Sequence, residues 1–377
     1  MPNRRAFLKN MSCVTGAILS SSGIAEAAAR SFPSGTGRRQ VIIGGRQVKT
    51  IDIHGHCLVR EVFPLVQDYA WATPLKTAME GTRGRRLTPD FVGPERVRFM
   101  DEHGIDVQAL SINPYWYTAE RDLATRFIAA QNEALAAACA NYPGRFIGLA
   151  TVALQYPDLA ARQLEDAIKK LGMSGVAIAA NIAGEELSSP KHDPFWAKAQ
   201  ELGAFIFVHP QLEGGFEGKN YPAGMYKRFS GFGNLDNVIG YPLETSIAFA
   251  HLIFEGTLDR FPGLRICGAH GGGFLPSYIG RADASCEWLP QNCRALKKKP
   301  SEYFKEQLFC DSLVFNAEEL RLRVAQYGAG QVVLGTDHPA PWPTKGVDHV
   351  LETQGVSDAA KIAMLGGNLA KLLRIPY

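Results

Sequence analysis

Hydrophobic positions along the chain fall into two alternating rhythms. Short, β-branched, nearly unbroken apolar runs recur eight times: "KTIDIH" (49–54), "DVQALSI" (106–112), "RFIGLATV" (145–152), "GVAIAAN" (175–181), "AFIFVHP" (204–210), "LRICGAH" (264–270), "LFCDSLV" (308–314) and "QVVLGTD" (331–337). Runs of this length with little polar alternation suit strands buried on both faces, as in parallel sheets. Between them the apolar spacing lengthens to three and four residues. "RDLATRFIAAQNEALAAACANYPG" (121–144) stops at Pro143-Gly144, "PDLAARQLEDAIKKLG" (157–172) opens with Pro157 and Asp158 and closes on Gly172, and "PLETSIAFAHLIFEGTLDRFPG" (242–263) is of the same type. These are amphipathic helices with their start and stop residues. Eight strands alternating with helices predict an α/β fold, a (β/α)8 TIM barrel, spanning residues 41–377 as one domain. Two connections are too long for plain turns, 57–93 and 211–241. They are expected as inserted loops at the mouth, where the carboxyl ends of the strands lie.

Composition adds limits. Of 377 residues 46% are hydrophobic and 20% charged, a balance that suits a soluble globular protein with a large core. The net charge of +3 is small and the basic residues are scattered, apart from a solvated lysine run at 296–300. Nucleic acid and membrane surfaces are therefore not expected partners. The first 30 residues differ in kind: Arg4 and Arg5, followed by Phe7, Leu8 and Lys9, precede the weakly apolar "MSCVTGAILSSSGIA" and the small Ala25 and Ala27 on either side of Glu26. This pattern resembles a twin-arginine export signal with a small-x-small cleavage site, leading into a Ser/Gly/Arg linker at 31–40. Its apolar part is shorter than the roughly 20 residues of a permanent span, so no membrane attachment is expected after its removal. A periplasmic or otherwise exported location follows from this reading. Cys57, Cys267 and Cys310 lie in apolar strand contexts and read as small core residues, whereas Cys286 and Cys293 are candidates for a pair in an oxidising compartment.

Chemistry concentrates at the ends of the runs. His54 and His56 close the first, one residue apart, so their side chains share one face of the strand. His209 ends the fifth, His270 the sixth and Asp337 the eighth. A barrel brings all five to one mouth. Imidazole nitrogens with a carboxylate oxygen suit one divalent ion, zinc above all, with a position left open for water or substrate. His103, His192, His251 and His349 lack such placement, and His338 is either a support for the cluster or substrate-facing. Trp71, Tyr115, Trp116, Tyr117, Phe216 and Trp342 are aromatic candidates for a pocket wall or for core.

The paired "HGH", "VHP", "AHGGG" with an arginine eleven residues beyond its histidine, and "GTDHP", together with "NYPGRFIGLATV" and "QVVLGTDHPAPW", resemble the metal-dependent decarboxylase branch of the amidohydrolase superfamily. Within that branch the similarity is to the 2-amino-3-carboxymuconate-6-semialdehyde decarboxylases, from about Lys49 to Ile375. The resemblance implies that His54, His56, His209 and Asp337 hold a single zinc, and that His270 activates a metal-bound water, with Asp337 either a ligand only or also a carrier of protons. It implies a homodimer in which Arg281 reaches the partner's site. Arg85, or its neighbours Arg83 and Arg86, would meet the carboxylate of a small-molecule substrate. The expected reaction is non-oxidative decarboxylation of an unsaturated or aromatic carboxylic acid. Hydrolysis of a lactone, amide or ring-cleavage product by the same metal-activated water stays open, and a non-enzymatic binding protein is the third reading. After "VHP" the chain reads "QLEGGFEG", where the semialdehyde decarboxylases have an aromatic continuation, and the 57–93 connection shows little similarity, so the substrate is expected to differ.

Overall fold

The computed structural model describes residues 37–80, 91–211, 226–229, 232–343 and 345–377. The amino-terminal segment with its twin-arginine pattern, Arg83, Arg85, Arg86 and Phe216 lie outside the described residues. Eight strands form one sheet: β1 (Ile51–His56), β2 (Val107–Ser111), β3 (Phe146–Ala150), β4 (Gly175–Ala179), β5 (Phe205–His209), β6 (Arg265–Gly268), β7 (Leu308–Asp311) and β8 (Val332–Val333). They are hydrogen-bonded in sequence order, each parallel to the next. The first strand meets the segment after the last. Ile53 N–H donates to the Leu334 carbonyl at 3.0 Å, His56 N–H to the His338 carbonyl at 2.6 Å, and Gly55 pairs with His338 in a parallel bridge. The sheet is thereby a (β/α)8 barrel.

The apolar runs form strands because both of their faces are covered. Ile51, Ile53, Phe205, Phe207, Cys267 and Val333 point into the barrel and make a core of their own. Ile178, Ile206, Val208, Ile266 and Leu308 point outward and pack beneath the helices. Each fully buried side chain of this size contributes about 1.5–3 kcal/mol over its exposed state. The covering helices follow their strands in order: α1 (Pro94–His103), α2 (Arg121–Ala140), α3 (Pro157–Leu171), α4 (Asp193–Leu202), α5 (Tyr241–Phe254), α6 (Ile279–Trp288), α7 (Ala317–Tyr327) and α8 (Gly346–Glu352). The Asn316 side chain caps α7 by accepting from Glu319 N–H at 2.8 Å.

Three expectations shift in detail. The helical pattern at 242–263 is two helices, because Gly256 takes a left-handed φ of 72° that ends α5 and opens a short helix at Thr257–Arg260. The sixth and eighth runs leave the ladder early, at Gly268 and Val333, so His270 and Asp337 stand on turns beyond the strands. The described part of the 57–93 connection, up to residue 80, forms helical turns, Arg60–Val62, Phe63–Val66, Ala70–Ala72 and Thr73–Met79, with Val62, Val66 and Leu75 fully buried. Cys286 on α6 is disulfide-bonded to Cys293, while Cys57, Cys267 and Cys310 are buried and outside that disulfide. No helix among the described residues is long and apolar enough to cross a membrane.

Candidate active site

Four histidines and one aspartate meet at the carboxyl end of the barrel. His54 Nε2 lies 3.0 Å from His56 Nε2 and 3.2 Å from Asp337 Oδ1, and His56 Nε2 lies 3.0 Å from that same oxygen. The His209 ring stands 4.5 Å from His56 and 5.1 Å from both His54 and His270, centroid to centroid. One ligand atom from each of His54, His209, His270 and Asp337 falls within 4.8 Å of the other three.

Neighbouring groups fix which nitrogens face inward. His54 Nδ1 is 2.6 Å from Asp311 Oδ2, a carboxylate that can only accept, so Nδ1 carries the proton and the Nε2 lone pair faces the cluster. His56 Nδ1 is 3.1 Å from Ser111 Oγ, whose own proton goes to the Gly55 carbonyl; the hydroxyl therefore accepts from Nδ1, and Nε2 again faces inward. Neither ring nitrogen of His209 and not Nδ1 of His270 has a hydrogen-bond partner among the described residues, although both side chains are largely enclosed. Buried polar atoms without partners cost about 1–3 kcal/mol each. Inward lone pairs, unpartnered imidazoles and one carboxylate are the donor set a divalent first-row ion satisfies. The chain thus builds a site for one divalent metal ion.

Electrostatics agree with the geometry. Burial works against a charge on His54, but the carboxylates of Asp337 and Asp311 outweigh it and raise its pKa to about 10, so without a cation Nε2 also carries a proton, and its lone pair becomes available when an ion displaces that proton. Burial and the neighbouring imidazoles push His209 well below the usual histidine range, and burial and His54 lower His270 to about 4. Asp337 is held well below the usual carboxylate range despite burial, through His54 and His56. The cluster demands positive charge beside Asp337 and keeps His270 a neutral imidazole. Backbone strain marks the same two residues: His270 (φ 55°) and Asp337 (φ 59°) both occupy the left-handed region that non-glycine residues rarely adopt.

Several supporting residues escaped the sequence reading. Asp311, at the end of β7, accepts from His270 N–H, Gly271 N–H and Leu313 N–H at 2.8–3.1 Å as well as meeting His54. Its signal was a carboxylate inside the apolar run "LFCDSLV". Asp52 accepts from His54 N–H, Gln108 Nε2 and both Thr336 N–H and its hydroxyl, tying β1 to the turn before Asp337. Arg323 on α7 donates to the carbonyls of Gly271 and Gly273 at 2.6 and 3.0 Å. A side chain at Gly272 has no room, since a Cβ there would fall 2.1 Å from the Tyr327 hydroxyl.

The remaining candidates separate. His338 contributes its carbonyl to the seam, while its ring lies 4.0 Å from Phe99, outside the cluster. Trp116 is fully buried and donates to the Val152 carbonyl, so it is core. Trp71, Tyr115 and Tyr117 line a cleft with Asn181 and Gln211, two residues past His209. Trp342 donates its indole N–H to Asp337 Oδ2 at 2.7 Å. Arg281 on α6 is exposed, apart from the buried cluster, and makes no hydrogen bond or ion pair among the described residues.

Residues 51–375 match the family described as Amidohydrolase, and the chain belongs to it. It is 29% identical over 338 residues to a 2-amino-3-carboxymuconate-6-semialdehyde decarboxylase of Dictyostelium discoideum, covering 86% of this chain and 91% of the relative. A gamma-resorcylate decarboxylase of Rhodococcus jostii is 28% identical over 296 residues, covering 74% and 87%. The crystal structure of a 5-carboxyvanillate decarboxylase from Sphingomonas paucimobilis superposes with a TM-score of 0.74 at 25% identity, over 87% of this chain and all of that one.

Proposed function

We propose that the protein is a metal-dependent, non-oxidative carboxy-lyase that removes carbon dioxide from an aromatic or otherwise unsaturated carboxylic acid. The observation that carries this is the ligand cluster at the mouth of an amidohydrolase barrel whose relatives are decarboxylases. His54, His56, His209 and Asp337 would hold the ion, with zinc the ion the imidazole-rich donor set favours. When bound, it supplies Lewis acidity, polarising a substrate oxygen and making water acidic. His270 packs against the cluster with an unpartnered Nδ1 and is the proton carrier. It takes up a proton as substrate is engaged and delivers one to the carbon that loses carbon dioxide, whose bonding pair stays behind on that carbon. Asp337, held below the usual carboxylate range by His54 and His56, suits the role of an anionic ligand.

A guanidinium pairs bidentately with a substrate carboxylate. We assign that role to Arg85 and to Arg281 of the second copy in a homodimer. Arg281, without a hydrogen bond or ion pair among the described residues, stands on α6 between the exposed Tyr278, just before the helix, and the exposed Trp288 at its end, and apolar surface of this kind favours a covering partner. The Cys286–Cys293 disulfide supports an oxidising location and hence export by the twin-arginine route.

The test is carbon dioxide release by purified, metal-analysed enzyme over a panel of aromatic and unsaturated acids, beside lactones and amides. Metal-dependent release from an acid is the expected result. Opening of a lactone or amide with no carbon dioxide from any acid would make the enzyme a hydrolase instead.

A further inference from the structure

Asp337 has a partner outside the histidine cluster. Its Oδ1 faces His54 and His56, while Oδ2 accepts the 2.7 Å bond from Trp342 Nε1 and stands 4.0 Å from His270 Nε2, beyond hydrogen-bond reach. An indole offers one donor and no acceptor, so this contact is made through a lone pair of Oδ2 and is strongest to the ionised carboxylate. Two loops cooperate to aim it. Ala340 N–H donates to the Asp337 carbonyl at 2.7 Å and Trp342 N–H to the Ala340 carbonyl at 2.9 Å, folding 337–342 back over the carboxylate. The indole ring rests on Phe315 at 4.8 Å, centroid to centroid. Phe315, on the loop after β7, holds φ 65°, a true outlier for a bulky aromatic. Strain of that kind persists where surrounding structure enforces it.

We propose that Trp342 is a positioning residue for Asp337: its indole N–H pins Oδ2 so that Oδ1 alone is presented to the His54–His56 pair, and this orientation sets the affinity of the metal site. The inference rests on Asp337 being a ligand, as proposed above. Tryptophan thereby does for the carboxylate ligand what Asp311 does for His54.

The experiment measures metal dissociation constants by competition with a chromogenic chelator for wild type, Trp342→Phe, Phe315→Leu and Asp337→Ala, with thermal midpoints of the metal-free proteins. Trp342→Phe keeps the ring and deletes only the donor. It is expected to weaken metal binding about 10-fold, the lower end for loss of a group that orients a ligand, at a near wild-type midpoint. Phe315→Leu, which retains the donor, should lose less. Should Trp342→Phe not fold, nitrogen-15 labelling of the five indoles in wild type, assigned through Trp342→Tyr, gives the second readout. One indole N–H signal should lie downfield and move on metal addition. Unchanged metal affinity in Trp342→Phe, or an indole signal insensitive to metal, overturns the positioning role. Metal retained by Asp337→Ala, measured beside these variants because an asparagine would keep an oxygen able to bind the ion, removes the ligand assignment and the inference with it.

Discussion

Asp311 shows how a single carboxylate organises residues far apart in sequence. It is fully buried, yet the His54 imidazole and three backbone N–H groups satisfy it, and against burial His54, then His270 and the Gly271 N–H, hold its pKa below the usual range. Asp311→Asn places an amide opposite the His54 Nδ1 proton, frees the imidazole to rotate and should weaken metal affinity about 10- to 100-fold, read by metal content after dialysis against chelator. His209→Ala should lose metal and activity together. His270→Asn should keep most of its metal while kcat falls at least about 100-fold, the scale of a lost acid–base group; metal analysis beside turnover separates the two. The histidines were legible in the sequence because each ends an apolar run. Asp311 was not, since its role exists only through a partner 257 positions away and a lone carboxylate in a strand carries no local sign of its contact.

Among the elements, α5 is tied to the barrel by a buried acid. Glu244 accepts from Gln211 N–H at 2.8 Å and from the Asn181 side chain, linking the segments that follow β4 and β5. Burial raises its pKa to about 8. Its folded state holds a proton that the unfolded chain gives up near 4.5, so its contribution is complete below that pH and is lost as pH rises through 8. Glu244→Gln cannot titrate. Its urea midpoint should therefore gain on that of wild type between pH 6 and pH 9, and a constant difference across that range would refute the assignment. The strand and helix order was readable from apolar spacing alone, but strand ends were not. The left-handed turns at His270 and Asp337 break the ladder for the benefit of the site, and nothing in local propensity announces that.

For the whole molecule, the dimer reading makes a quantitative claim. If Arg281 serves the partner's site, Arg281→Ala and His270→Asn chains are each inactive alone, but a mixed dimer holds one intact site of two. Random pairing of equal amounts should then restore about a quarter of wild-type activity per chain, since half the dimers are mixed; no recovery on refolding the two together would place both residues in one subunit's site. Arg281, which the proposed dimer assigns to the second copy's site, drew attention in the sequence only through its offset from His270, because a single chain's spacing cannot say across which boundary a side chain reaches. The barrel's closure has a consequence for how the protein matures. His54 and His56 lie on the first strand and Asp337 just beyond the last, and the two flank the seam where Gly55 meets His338. Joining chain ends is the most sequence-distant contact and is slow to form. If the ion needs ligands from both sides of the seam, as the proposed set of His54, His56 and Asp337 requires, a half-built barrel offers it no complete cage, and metal would then load only after the circle has closed.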